Sequence, residues 1–380
     1  MKNNSNHIVF CGGSTAGHLY PGLAVAEELA EMIPRLRVTF CGGGRPSERQ
    51  AVAEAGFGYY ALPSRPLPQG PTEAVAFVLD NLAGYMAAKW FLREERVAAV
   101  VGLGGYTSLP VGRAAARRGL PLVLLEQNVI PNKATRWLAS RASLVCTSLE
   151  ETAEKLRCRC PVRFTGNPVR RSFQRGRRPA ASDATSTAPP TLVVLGGSGE
   201  ARPLNEKAPP ALYKVRQLLQ GWRIVHQSGE SGLEATRTLY QKLALDATVE
   251  PFLADMPAVL SGANLALCRA GGTTLAELAA MGVPAILLPY PHAANDQQAE
   301  NARVFAAGGG CVTIDERKAP GHLDDELADV LCFVLANQGL RQGMSAAMRD
   351  MARPFAAKDV AELVWSLAAS RAQCAEPAGV

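Results

Sequence analysis

Ile8-Val-Phe-Cys-Gly-Gly-Ser-Thr-Ala-Gly-His18 opens on four apolar residues and turns through paired glycines. It then continues into Leu19, Leu23, Ala26, Ala30 and Ile33 at helical spacing. Leu192-Val-Val-Leu-Gly-Gly-Ser198 repeats the start of that pattern in the second half of the chain. A strand running into a glycine turn ahead of a helix is the opening of a Rossmann-like unit. The predicted fold class is therefore α/β, with two facing Rossmann-like domains built on parallel sheets and an interdomain cleft. Ligands of such sheets collect at the carboxyl ends of the strands, where both glycine turns lie.

Outward from these turns, short apolar runs alternate with helical patterns. Strands are predicted at Ile8–Cys11, Arg37–Phe40, Tyr59–Leu62, Ala98–Val101, Leu120–Leu125, Leu144–Cys146 and Val162–Phe164, and then at Thr191–Leu195, Arg223–Gln227, Thr248–Glu250, Asn264–Leu267 and Pro284–Leu288. Between Arg170 and Pro190 the pattern collapses into a basic cluster followed by Ala, Ser, Thr and Pro. The predicted division is a first domain over 1–170, a linker over 171–190 and a second domain over 191–356.

Composition narrows the function. A 380-residue chain with 47% hydrophobic residues carries enough apolar material for two cores. Its net charge of +6 suits an anionic substrate or an acidic membrane surface, and 6% aromatics argues against stacking on nucleic acid. Nine cysteines without a CxxC set read as free thiols in a reducing cytosol, with no metal site. Residues Met1–Phe10 lack the apolar run of an export signal. Ala74–Leu92 is long enough to span a bilayer but contains Asp80, Asn81 and Lys89, so it does not cross. It is predicted as a helix buried between layers. An outer face dipping into lipid is the competing account, since Arg93, Arg96 and the Pro63–Pro71 loop flank it.

Several residues carry candidate chemistry. The turn before His18 lets backbone amides approach an anion, and the positive end of the helix dipole should keep this imidazole neutral and able to take a proton. Capping or packing is the alternative. Gly102-Leu-Gly-Gly-Tyr-Thr-Ser108 and Glu126-Gln-Asn128 also emerge at strand ends. In the second half, Cys268-Arg-Ala-Gly-Gly-Thr-Thr274 starts a helix whose amides can hold a diphosphate. Thr273 and Glu277 share one helix face, which suits a carboxylate accepting ribose hydroxyls. Gln298 and Asn301 are likewise three apart and suited to sugar hydroxyls. No Asp-x-Asp occurs, so diphosphate charge would fall to helix dipoles and to Arg170 or Arg269. Neither GxGxxG, a P-loop nor Gly-x-Ser-x-Gly is present at the glycine turns, which sets aside dinucleotide, triphosphate and serine-hydrolase chemistry.

Taken in order, the Gly12–His18 turn with Pro21, Gly104-Gly-Tyr106, Glu126-Gln-Asn128, Gly166-Asn-Pro-Val-Arg170, Gly196-Gly-Ser198, Cys268–Glu277 and Gln297-Gln298 with Asn301 resemble the MurG family. The resemblance implies a GT-B fold and inverting, metal-independent transfer of GlcNAc from UDP-GlcNAc to the 4-hydroxyl of the MurNAc of lipid I, forming lipid II in peptidoglycan synthesis, without a cofactor. It implies His18 as the base, with Thr15 positioning substrate at the same turn. On the donor side it implies Glu277 for the ribose, Ser198, Thr273 and Arg170 for the diphosphate, Gln297, Gln298 and Asn301 for GlcNAc, and Leu253 beside the uracil. Gly17, Tyr106 and Asn128 would line the acceptor side. A last helix, about 357–372, would pack back on the first domain. The implied partners are UDP-GlcNAc, undecaprenyl-linked lipid I, an anionic membrane surface and other wall-synthesis proteins, at the cytoplasmic face of the plasma membrane. Two departures stand out: Leu125 replaces the family's usual His, and Gly199-Glu200 replaces Gln-Gly. The alternatives are another GT-B activity, such as a UDP-GlcNAc 2-epimerase or a glycolipid glycosyltransferase, or a non-catalytic nucleotide-sugar-binding scaffold.

Overall fold

The computed structural model describes residues 6–13, 15–68, 70–175, 189–196, 202–318 and 321–374. The chain divides into two compact units, Met1–Arg170 with Arg353–Val380, and Arg171–Ala352. In the first, β1 (His7–Cys11), β2 (Arg37–Gly42), β3 (Gly58–Ala61), β4 (Ala99–Gly102), β5 (Leu122–Glu126), β6 (Leu144–Thr147) and β7 (Val162–Phe164) form one sheet. All pairings are parallel, in the order β3-β2-β1-β4-β5-β6-β7. Successive side chains of a strand point to opposite faces, and here both faces are covered. Ile8 and Phe10 enter a core shared with helix Ala16–Met32 and with Val360, Ala361 and Val364 of the last helix, Ala356–Cys374. Val9 and Cys11 enter a second core with Phe91 and Leu92 of helix Pro71–Glu94 and Val111 of helix Ser108–Arg117.

In the second unit, β8 (Thr191–Leu195), β9 (Arg223–Gln227), β10 (Thr248–Glu250), β11 (Ala263–Cys268), β12 (Ala285–Leu287) and β13 (Cys311–Thr313) form a parallel sheet in the order β10-β9-β8-β11-β12-β13. Leu192, Leu265 and Ile286 pack with Leu204 and Leu212 of helix Arg202–Lys214 and Leu327 and Leu331 of helix Leu323–Ala336. The order reverses direction at β1/β4 in one sheet and at β8/β11 in the other, the positions where open α/β sheets bind ligands.

Three expectations change. β13 is a strand that the sequence pattern did not reveal. Arg171–Arg175 forms a short helix where a linker was expected, and most of the remainder of 171–190 lies outside the described residues. Helix Pro71–Glu94 is not buried between layers: Val75, Val78, Leu79, Leu82, Met86 and Trp90 are exposed, Trp90 by 61%, while Ala88, Phe91 and Leu92 turn inward. Asp80, which sits beside the exposed stripe, pairs with Arg65 of the preceding loop, and Asn81 Nδ2 donates to the carbonyls of Phe77 at 2.8 Å and Arg65 at 3.2 Å. The polar residues thus tie the helix to the loop and leave its apolar stripe uncovered.

Candidate active site

At the carboxyl ends of β1 and β4 two glycine turns touch. Gly12 has φ +106°, and a Cβ there would overlap the carbonyl oxygen of Gly104. Gly104 has φ +87°, and a Cβ on it would lie 2.7 Å from Asn132 Nδ2, 3.1 Å from His18 Cδ2 and 3.4 Å from His18 Nε2. Only glycine allows these backbones to approach so closely.

Thr15 is the N-cap of helix Ala16–Met32, yet its hydroxyl makes no cap bond. It meets His18 Nδ1 at 2.8 Å instead. When Nδ1–H donates to Thr15 Oγ1, Nε2 carries the lone pair, on the edge beside Gly104. Burial pushes the His18 pKa down to about 4, so the imidazole is neutral at pH 7, as expected, with desolvation as the cause.

Glu126, the last residue of β5, is buried, and its carboxylate organises the following loop. Oε1 accepts from the backbone N–H of Asn128 at 3.2 Å and its Nδ2 at 3.3 Å, while Oε2 accepts from the N–H of Asn132 at 2.9 Å and its Nδ2 at 2.8 Å. Burial raises the Glu126 pKa, and these bonds oppose the rise. Asn132 Oδ1 in turn accepts from Thr135 N–H at 2.9 Å and caps helix Lys133–Ala139. Asn132 therefore connects the buried carboxylate to the Gly104 turn. In the sequence Asn132 shows only the signal of a helix cap, an Asn directly ahead of a helix, and its link to Glu126 and Gly104 exists only in the fold. Leu125 is a core residue. Tyr106 is half-buried, its hydroxyl near Gly43 at the end of β2. Gly17 is exposed in the first turn of its helix. Arg170 belongs to this unit, its guanidinium 4.1 Å from the centre of the Tyr20 ring.

In the second unit, Gly271 is the extended N-cap of helix Gly272–Met281. The first N–H groups of a helix have no intrahelical acceptor and favour an anion. Thr273 is buried in this first turn, and Glu277 lies half-buried one turn further on the same face. The loop is braced from behind. Gln298 Oε1 accepts from Ala270 N–H at 3.2 Å and Tyr290 N–H at 2.9 Å, which occupies both lone pairs of the amide oxygen. Gln297 is the half-buried first residue of helix Gln297–Ala307, entered through Asn295 and Asp296 at φ 54° and 55°. Leu253 is buried, and its N–H donates to Gln227 Oε1 at 3.1 Å.

Two expectations are corrected here. Asn301 is fully buried and donates to the Ala270 carbonyl at 3.1 Å, so it builds the loop and does not face a sugar. Arg269 does not offer an open charge to a diphosphate: it is 4% exposed and ion-paired with Glu316 at 2.9 Å. Ser198 and Gly199-Glu200 lie outside the described residues.

Residues 8–147 match the glycosyltransferase family 28 N-terminal domain and residues 191–360 the family's C-terminal domain. The UDP-N-acetylglucosamine–N-acetylmuramyl-(pentapeptide) pyrophosphoryl-undecaprenol N-acetylglucosamine transferase of Syntrophotalea carbinolica is 36% identical over 90% of this chain and 94% of its own length. The transferase of the same name from Hahella chejuensis is 35% identical over 96% of this chain and 98% of its own. The crystal structure of Acinetobacter baumannii MurG superposes with a TM-score of 0.74 at 28% identity, covering 95% of this chain and 99% of that one. The chain belongs to the MurG branch of glycosyltransferase family 28. Its two α/β units are those of a GT-B glycosyltransferase. Within the MurG pattern, the glycine turn with His18 and the helix start with Thr273 and Glu277 each stand at a sheet's switch point.

Proposed function

We propose that this chain transfers GlcNAc from UDP-GlcNAc to the 4-hydroxyl of the MurNAc of lipid I, forming lipid II. In this reading neutral His18 takes the hydroxyl proton at Nε2 as the oxygen bonds to the anomeric carbon, and the bond from that carbon to UDP breaks with its electron pair leaving on the diphosphate. Thr15 holds the tautomer that leaves Nε2 free to accept. The N–H groups at the start of helix Gly272–Met281 stabilise the departing charge, with Thr273, Arg170 and Ser198 as further diphosphate ligands. Glu277 binds the ribose, Leu253 lies beside the uracil, and Gln297 and Gln298 serve the sugar. Gly17, Tyr106 and Asn128 line the acceptor side. The observation that supports this best is the Thr15–His18 contact, which holds a neutral imidazole beside a turn only glycine can make.

Purified protein given UDP-GlcNAc and a lipid I analogue should release UDP, and UDP-GlcNAc alone should yield no epimer. Glu277→Ala should raise KM for UDP-GlcNAc by about 10- to 100-fold, the worth of a hydrogen bond to a charged group, with a smaller change in kcat. An unchanged KM would remove Glu277 from the donor site.

The same reading places the chain peripherally on an anionic membrane, at its cytoplasmic face. No described helix is long and apolar enough to cross a membrane. The exposed stripe Val75–Trp90, the exposed Leu67 of the preceding loop and the exposed Lys89, Arg93 and Arg96 combine apolar area with positive charge. Leu82→Ser with Trp90→Ser should reduce co-sedimentation with anionic liposomes about ten-fold or more while activity on a soluble acceptor analogue is retained. Equal sedimentation of the variant would exclude this face. Contacts with other wall-synthesis proteins belong to the same proposal.

A further inference from the structure

One side chain ties the carboxyl ends of three neighbouring strands in the second unit. Arg269 follows β11, and its Nη1 donates to the carbonyl of Leu288, just after β12, at 2.9 Å and to Oε1 of Glu316, beyond β13, at 2.9 Å. The Arg269 and Glu316 side chains are 4% and 10% exposed. The guanidinium lies 5.5 Å from the centre of the Tyr290 ring, and Tyr290 and Ala270 share the Gln298 amide oxygen. A full positive charge thus sits just ahead of the Gly271–Thr273 turn, held in place and offset by a buried carboxylate.

We propose that Glu316 is a positioning residue and counter-charge for the diphosphate turn. It fixes Arg269 so that the turn keeps its shape, and it weakens the positive field beneath that turn, so that the diphosphate is gripped by backbone N–H groups and UDP can leave after transfer. The inference rests on the reading that UDP-GlcNAc binds at this turn. Breaking one half of a buried pair destabilises a fold, whereas removing a negative charge near an anion strengthens anion binding. The two effects have opposite signs, which separates a counter-charge from a merely structural residue.

The test compares the inhibition constants of UDP and of uridine, each against UDP-GlcNAc. Glu316→Gln keeps an acceptor oxygen for Arg269 and removes the charge. It should melt at a lower temperature, bind UDP about five-fold more tightly and bind uridine unchanged. Glu316→Asp, which keeps the charge, should restore the wild-type constant for UDP. UDP binding that is unchanged or weaker in Glu316→Gln overturns the proposal. If that variant does not fold, Arg269→Met with Glu316→Leu removes both charges together. UDP binding within two-fold of wild type then supports the counter-charge, and a loss beyond ten-fold overturns it by making Arg269 a direct diphosphate ligand. UDP that fails to compete with UDP-GlcNAc in the wild-type protein overturns the donor-site reading itself.

Discussion

His18→Ala lowers kcat by about 10²- to 10⁴-fold, the usual worth of a positioned general base, while the KM for UDP-GlcNAc stays within a few-fold of wild type. Apart from Arg170, the donor residues belong to the second unit, so removing the imidazole takes away proton transfer and leaves the Gly271–Thr273 turn intact. His18→Gln should be as slow, because an amide can fill the space and bond to Thr15 but cannot accept a proton. The pH profile gives an independent check. Since burial holds the His18 pKa near 4, the acid limb of kcat/KM should fall near pH 4, well below the pH 6.5 of a solvated imidazole. Below that limb the imidazole is protonated and the base is lost. An anionic substrate favours the imidazolium, so the acid limb of kcat should lie above that of kcat/KM. An acid limb near pH 6.5 in kcat/KM, or full turnover by His18→Ala, would assign the proton transfer to another group.

Gly104→Ala should slow turnover by about 10²-fold and lower the melting temperature. The residue has φ +87°, which an alanine adopts only with strain, and its new Cβ would stand 2.7 Å from Asn132 Nδ2 and 3.1 Å from His18 Cδ2. Asn132 is held by Glu126 and by its helix cap, so the imidazole is the partner that must move. A displacement of about 1 Å at a reacting group is enough for a rate loss of this size. Gly119→Ala is the control. It too has positive φ, +64°, but nothing lies within 4 Å of the added Cβ. It should cost about 1 kcal/mol of stability and leave kcat unchanged. Equal kcat losses in the two variants would mean that general destabilisation, and not His18 placement, sets the rate.

Much of this molecule is legible from local pattern. β1 and β8 read as strands because a continuous apolar run between a polar flank and a glycine turn has few other uses, and His18 was identifiable because it follows such a turn directly. β13 was hidden because Cys311-Val-Thr313 lacks the apolar–polar alternation of the equally short Val162-Arg-Phe164 and Thr248-Val-Glu250. Helix Pro71–Glu94 was legible as a helix, but not which of its apolar stripes is covered. Helical spacing cannot settle that, since Leu79 and Phe91 are both apolar and only the sheet beneath Phe91 distinguishes them.

By itself, then, the amino-acid order determined the parallel α/β architecture, the paired glycine turns and most of the residues at the strand ends, since backbone propensity and periodicity act over a few neighbours. Tertiary structure alone decided which polar residues face a ligand and which are used internally. Glu126 finds Asn132 six positions on, Asn301 reaches back to Ala270, and Arg269 meets Glu316 from the far side of two strands. Those pairings satisfy buried charges and amides that would otherwise be costly, and that requirement exists only once the chain has folded and excluded water.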